Sequence, residues 1–277
     1  MESNFIKQII VQYKRKLGFT YALVIIEKLG ELSIPFFLGQ SIDGLVNHNY
    51  APIILFASVY LTWVMIGTIR HRYDTKTYTT IYNQVVNKIV DNNHQQNTSK
   101  ISAHINLTRE IVDFMEFDMV YISTAVISIF VSMIMIFSYN VNIALLCLVL
   151  IIPVSIISKK YGRNMASLNK KKNSELERQV DVISTKNKQD TKRHFDMLRL
   201  IQINISNKEA TNYWQLQLVS LTILIASLLI MSRGNFQIGV LVAMWSYLLN
   251  FINALEIVPY TIQKWTNLKD IISRIKK

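Results

Sequence analysis

The sequence predicts an all-α polytopic membrane protein: six long transmembrane helices with helical cytoplasmic extensions, forming a single domain over residues 1–277. Three observations predict it. Hydrophobic residues make up 51% of the chain and charged residues 17%, against the roughly 25% charge of an ordinary soluble domain. Residues 119–158 hold no Lys, Arg, Asp, Glu or His, and residues 210–232 and 234–255 are uncharged as well. The basic residues that give the formal net charge of +12 sort onto one side of the resulting spans.

The spans follow in order. An apolar crossing of the bilayer needs about 20 residues. Residues 17–38 form the first candidate and carry Glu27, Lys28 and Glu31; residues 49–69 form the second. The forty-residue run breaks at Tyr139-Asn140-Val141-Asn142, which divides it into spans 119–138 and 141–158 joined by a tight turn. Arg233-Gly234-Asn235 separates the last pair, 213–232 and 236–260. A β-barrel would alternate apolar and polar residues over about ten positions per strand, and no such alternation exists. The first apolar stretch is long, contains acids and lacks a small-residue cleavage pattern, unlike a signal peptide.

Sidedness comes from Lys and Arg. Residues 1–16 hold four, 70–118 six, 159–213 thirteen and 264–277 five, whereas the opposite side holds Arg233. Positive residues stay in the cytoplasm, so both termini and both long loops are expected there. This distribution explains the net charge as a basic rim at an anionic leaflet, with no nucleic-acid partner. Heavy use of Ile, Asn and Lys points to an AT-rich bacterial genome, hence to a plasma membrane of the bacterial inner type.

The internal loops are long and keep helical periodicity. Tyr78, Ile81, Tyr82, Val85, Val86, Ile89 and Val90 recur at three and four residues, the spacing of one helix face. The polar run from Asp91 to Ser99 interrupts them, and apolar spacing resumes at Ile101. Leu176, Val180 and Ile183 lead likewise to the polar stretch Ser184–Asp190. No proline falls in either loop. Spans two to five are therefore expected to continue as helices beyond the lipid, each loop forming a helical hairpin with a polar tip. A 20-residue extension projects about 30 Å, far enough for a push at a tip to move the spans as rigid bodies.

This layout, with several short matches, resembles the transmembrane domain of six-span exporter-type ABC transporters. Pro35-Phe36-Phe37-Leu38-Gly39-Gln40-Ser41-Ile42-Asp43 resembles the family's end of the first span. Ile203-Asn204-Ile205-Ser206-Asn207-Lys208-Glu209-Ala210 is similar to its entry into the fifth. Ile257-Val258-Pro259 and Ile271-Ile272-Ser273-Arg274-Ile275 resemble its sixth span and exit. The segment Lys100–Arg109 departs from the family by lacking a glycine and a Ser-Arg pair after the first tip.

The resemblance implies a membrane subunit that forms the substrate pathway as a homo- or heterodimer. It also implies coupling helices at the loop tips: Asn92, Asn93, His94, Gln95 and Gln96 in the first, and Thr185, Lys186, Asn187, Lys188 and Gln189 in the second, where ordinary solvated turns are the alternative. A phosphate loop needs G-x-x-x-x-G-K-[ST], yet Gly234 and Gly239 are followed by Val240-Leu241, and no nucleotide-binding domain is expected after span six. ATP and Mg are accordingly expected on a separate ATPase subunit, with no cofactor, metal or catalytic residue on this chain. The alternative is an ATP-independent channel, carrier or accessory protein on the same scaffold. An intramembrane enzyme finds no support, since no H-E-x-x-H or G-x-S-x-G motif is present.

Six polar residues inside spans are candidates for the substrate pathway. Glu27 and Glu31 share a helix face at i, i+4, and Lys28 lies three residues before Glu31. Charges at this depth face a cavity or a partner. They form a neutralised cluster at a cytoplasmic cavity, a site for a cationic substrate, or a proton-coupling group. Asn250, Asn253 and Glu256 make a stripe that either lines a path or joins helices.

Overall fold

Lipid offers backbone groups no hydrogen-bond partners, so a crossing chain must satisfy its N–H and C=O groups within helices. The computed structural model describes residues 2–92, 105, 109 and 112–275, and every regular element among them is helical. Helix α1 spans Glu2–Val46 and α2 spans Ala51–Asn92. A π-helical turn, Phe114–Asp118, runs into α3, Met119–Tyr139. Then come α4 (Val141–Glu177), the short α5 (Gln179–Ser184), α6 (Lys188–Arg233) and α7 (Ile238–Ile275). Among the described residues, five helical stretches are long and apolar enough to cross a membrane: 51–87, 114–139, 141–184, 188–233 and 238–267. Helix α1 is not among these, and it carries Glu27, Lys28 and Glu31. The protein is thus an all-α, multi-pass membrane protein.

The helices far exceed the bilayer. The 46 residues of α6 reach about 69 Å at 1.5 Å per residue, twice the roughly 30 Å of hydrocarbon. The continuation of spans into stalks, expected from periodicity, is present in α2, α4 and α6. Local chemistry fixes where they stop. Asn140 accepts a hydrogen bond from the Ile143 N–H at 3.1 Å and starts α4. Asn187 does the same for Gln189 N–H at 3.0 Å and starts α6. Asn49 accepts from Ala51 N–H at 3.1 Å at the head of α2. Each supplies an acceptor to a donor that the first helical turn leaves orphaned. Along α2 the hydroxyls of Ser58, Thr62 and Thr68 bond back to carbonyls four residues earlier, at 2.8, 2.8 and 2.9 Å. That leaves them no need of a partner in lipid.

The chain divides into two compact units. One comprises residues 3–139 with 235–251, the other 140–234 with 252–277. In the first, Tyr13, Leu17, Tyr78, Ile81, Val85, Val112 and Met115 form a buried cluster. Tyr13 donates to Gln84 across it, and burial pushes the Tyr13 phenol above its ordinary pKa, so it keeps its proton. The Met115 carbonyl, inside the π turn, accepts from the Tyr78 hydroxyl at 3.2 Å and the Tyr21 hydroxyl at 3.3 Å. In the second unit Tyr161, Met165, Ile201 and Ile205 join α4 to α6. Tyr161 donates to Gln263 Oε1 at 2.8 Å, and Gln263 Nε2 donates to Glu209 at 2.8 Å, tying α4, α7 and α6 together.

Glycines test this packing in opposite directions. A Cβ on Gly162 would run into the Ile262 side chain, whereas one on Gly18 would meet nothing within 4 Å. Gly162→Leu is expected to cost about 1–3 kcal/mol by overpacking, lowering the apparent Tm in detergent. Gly18→Ala is expected to raise stability by about 0.5–1 kcal/mol, because alanine loses less backbone entropy inside a helix.

Candidate functional site

The charges inside α1 do not stand alone. Arg70 on α2 forms an ion pair with Glu27 through Nε, with its Nη2 at 3.5 Å from Glu27 Oε1. The same guanidinium donates through Nη1 to Asp74 Oδ2 at 2.7 Å. Lys28 pairs with Glu31 at 2.8 Å. Gly67 makes room for this arrangement, since a Cβ there would sit 2.7 Å from Glu27 Oε1. Together with Val24, Val120 and Thr124, four of these charged residues (Glu27, Lys28, Glu31 and Arg70) line a cavity of about 130 Å³. The three side chains of the Glu27–Arg70–Asp74 chain are each less than a quarter exposed. A guanidinium suits the bridge because its planar fork serves two carboxylates at once.

Sequence reasoning placed Glu27, Lys28 and Glu31 together but missed Arg70 and Asp74, which had been counted within the basic loop. The available signal was Arg70 and Asp74 at i, i+4, three residues after a glycine in an otherwise bulky stretch. The polar stripe of α7 meets different surroundings along its length. Glu256 accepts from Gln217 Nε2 of α6 at 2.8 Å, a tie between the two helices. Asn250 is half-buried and Asn253 is exposed.

At the second loop tip, α4 and α6 are joined by α5 and a turn. Thr185 ends α5, Lys186 takes a left-handed conformation (φ 52°), Asn187 caps α6, and Lys188 and Gln189 begin it. The expected tip residues thus form the turn. The helix beside them, Gln179–Ser184, was not singled out from sequence, although the Val180–Ile183 spacing marks it. Val180 and Ile183 are 68% and 48% exposed, an apolar surface at the tip. Behind α5 lies a cavity of about 550 Å³ whose wall includes Glu175, Arg178, Asp181, Asp190 and Arg193. His194 is sealed beside it, with Nδ1 at 2.7 Å from Glu175 Oε1, bracing the start of α6 against the end of α4. In the first loop, Asn92 ends α2, while Asn93, His94, Gln95 and Gln96 lie outside the described residues.

Comparison with protein families supplies the deciding observation. Residues 6–240 match the sequence profile of the ABC transporter transmembrane region. The chain belongs to that family. It is a membrane subunit of an ABC-type transporter. The comparison with curated proteins finds no match. Family membership gives the long stalks a context, since the match runs through both internal loops and reaches the first residues of α7.

Removing Arg70 would leave Glu27 and Asp74 facing each other without a cation. Arg70→Met is expected to cost about 3 kcal/mol, the scale for breaking a buried ion pair on one side, read as a fall in detergent Tm. Adding Glu27→Gln to that variant is expected to recover part of the loss, because one of the stranded charges is then gone.

Proposed function

We propose that this ABC transporter subunit forms the substrate pathway with a second transmembrane subunit, as a homo- or heterodimer, and is driven by a separately encoded ATPase. In this reading α1 supplies the first of six spans in a single transmembrane domain. Both termini and both stalk hairpins lie in the cytoplasm, beneath a plasma membrane of the bacterial inner type. Two-fold pairing is the simplest assembly for such a unit. ATP and Mg²⁺ belong to the partner, which closes around nucleotide and pushes on the tips. The levers then shift the population between inward- and outward-open states, by the difference in ATPase affinity for the two.

The observation that carries the reading is the apolar tip of the second hairpin. Val180 and Ile183 project from α5 at the end of two helices that extend far beyond bilayer thickness. Burying such side chains contributes about 1.5–3 kcal/mol each, which suits a docking point and serves no purpose in water. The sidedness is supported by the segregation of Lys and Arg. Asn92–Gln96 and Thr185–Gln189 would flank the contacts, as the coupling segments. Glu27, Lys28, Glu31, Asn250, Asn253 and Glu256 would border the pathway. Glu27 is already matched by Arg70, and Lys28 by Glu31. The cluster at α1 is therefore more suited to shaping the cavity than to binding a cation.

Gentle purification of the tagged chain from native membranes is expected to recover an ATPase subunit. Val180→Asp with Ile183→Asp is expected to reduce that recovery at least tenfold while membrane levels of the chain stay unchanged. Purification with no ATPase, together with transport that follows an ion gradient, would replace this reading with an ATP-independent carrier.

A further inference from the structure

The end of α1 and the beginning of α7 meet in an unusual way. Gly39 and Gly239 face each other so closely that a Cβ on Gly39 would lie 2.5 Å from the Gly239 carbonyl oxygen, and a Cβ on Gly239 would collide with the Gly39 carbonyl. The two backbones therefore touch directly, with no side chains interlocked between them. At the top of this seam the Asp43 carboxylate accepts a hydrogen bond from the Gly239 N–H at 2.7 Å. Gly239 is the second residue of α7, and its N–H is one of the four that a helix cannot satisfy internally. Here the acceptor comes from another helix. A carboxylate at that end also meets the positive pole of the helix dipole. Deeper in the seam, the buried Tyr247 hydroxyl donates to the Leu32 carbonyl at 2.8 Å.

Asp43 itself is held firmly. The Asn47 side-chain amide donates to its carbonyl at 2.8 Å. The Ser41 hydroxyl lies 2.8 Å from the Phe37 carbonyl and 3.1 Å from the Pro52 carbonyl. Gly44 packs against the Asn49 carbonyl and the Pro52 ring. The corner between α1 and α2 is thus stiff, and the Asp43–Gly239 bond is where it can part from α7. Asp43 is half-buried and lies beside an exposed turn, so water can replace its partner on release.

We propose that Asp43 is the latch of an outer gate: its carboxylate holds the start of α7 against the end of α1, and that bond is released when the pathway opens outward. The inference rests on the proposed sidedness, which puts this seam on the outer face. Smooth glycine surfaces separate without withdrawing interlocked side chains, and two discrete hydrogen bonds set the strength of closure. Asp43 acts as a positioning residue for α7.

The test uses the full chain in intact cells with Cys147→Ala. A cysteine placed by Ala243→Cys, a position that is 1% exposed beside Gly39, is titrated with a membrane-impermeant maleimide. Asp43→Ala is expected to raise its labelling rate about fivefold, the population change for loss of one helix cap. Asp43→Asn, which keeps an acceptor oxygen, should stay within about twofold of the parent. Tyr247→Phe, which removes the deeper bond alone, should also raise the rate and decides the matter if Asp43→Ala fails to reach the membrane. Parent-like labelling in Asp43→Ala and Tyr247→Phe, or equal acceleration by Asp43→Asn and Asp43→Ala, overturns the latch. A separate Tyr50→Cys chain reports sidedness: labelling of that exposed position only after permeabilisation overturns the topology, and the latch with it.

Discussion

A helix that carries Glu27, Lys28 and Glu31 can lie among apolar helices only if its charges are cancelled, because an unpaired charge taken out of water costs several kcal/mol. The Arg70 guanidinium meets that condition. It bridges Glu27 on α1 to Asp74 on its own helix, while Lys28 and Glu31 neutralise each other. Much of the first unit is arranged around this junction. Gly67 opens the space, Thr20 and Tyr21 sit about two turns before Glu27 on α1, and Tyr21 and Tyr78 anchor the π turn through the Met115 carbonyl. Two long helices are thereby locked at a defined register, midway along the first candidate span on α1 and just past the end of the second on α2.

Directional polar bonds play the same part elsewhere. Lipid and helix surfaces are equally apolar, so helices in a membrane gain little by hiding apolar area and depend on close packing and on hydrogen bonds between them. The second unit uses a reciprocal pattern. Gln263 of α7 bonds Glu209 of α6, and Gln217 of α6 bonds Glu256 of α7. Each helix supplies one amide and one carboxylate, at positions eight residues apart on α6 and seven apart on α7. That spacing is about 12 Å at 1.5 Å per residue, as expected for antiparallel neighbours held at two rungs. At the other extreme of α7, Gly239 and Gly39 bring backbones into contact and Asp43 completes the helix start. Stiff helices with a few specific ties are suited to moving as bodies rather than bending, as the work of an ABC transporter subunit requires.

The tip of the second hairpin is built differently. There, Asn187 and the left-handed Lys186 end one helix and begin the next, and His194 with Glu175 keeps the two arms together behind the tip. With the turn so built, the apolar residues of α5 have no interior to enter and remain on display.

The sequence by itself determined the helical class, apolar runs long enough to cross a membrane, the helical periodicity of the long loops and the family's short matches. All of these are local: a run without charge, a repeat at three and four, or an asparagine before a helix means the same wherever the helix goes. What only the tertiary structure decided was pairing across distance. Glu27 could be assigned to a cavity, a substrate or a proton from its own neighbours, and nothing in the chain near residue 27 says that Arg70 meets it 43 positions later. The Glu256 stripe could line a path or join helices, and only the fold sets Gln217 opposite it; Gly239 fitted no phosphate loop, and only the fold brings Gly39 and Asp43 against it. Periodicity shows which face of a helix is apolar, but a polar residue's role depends on the partner that the fold brings to it.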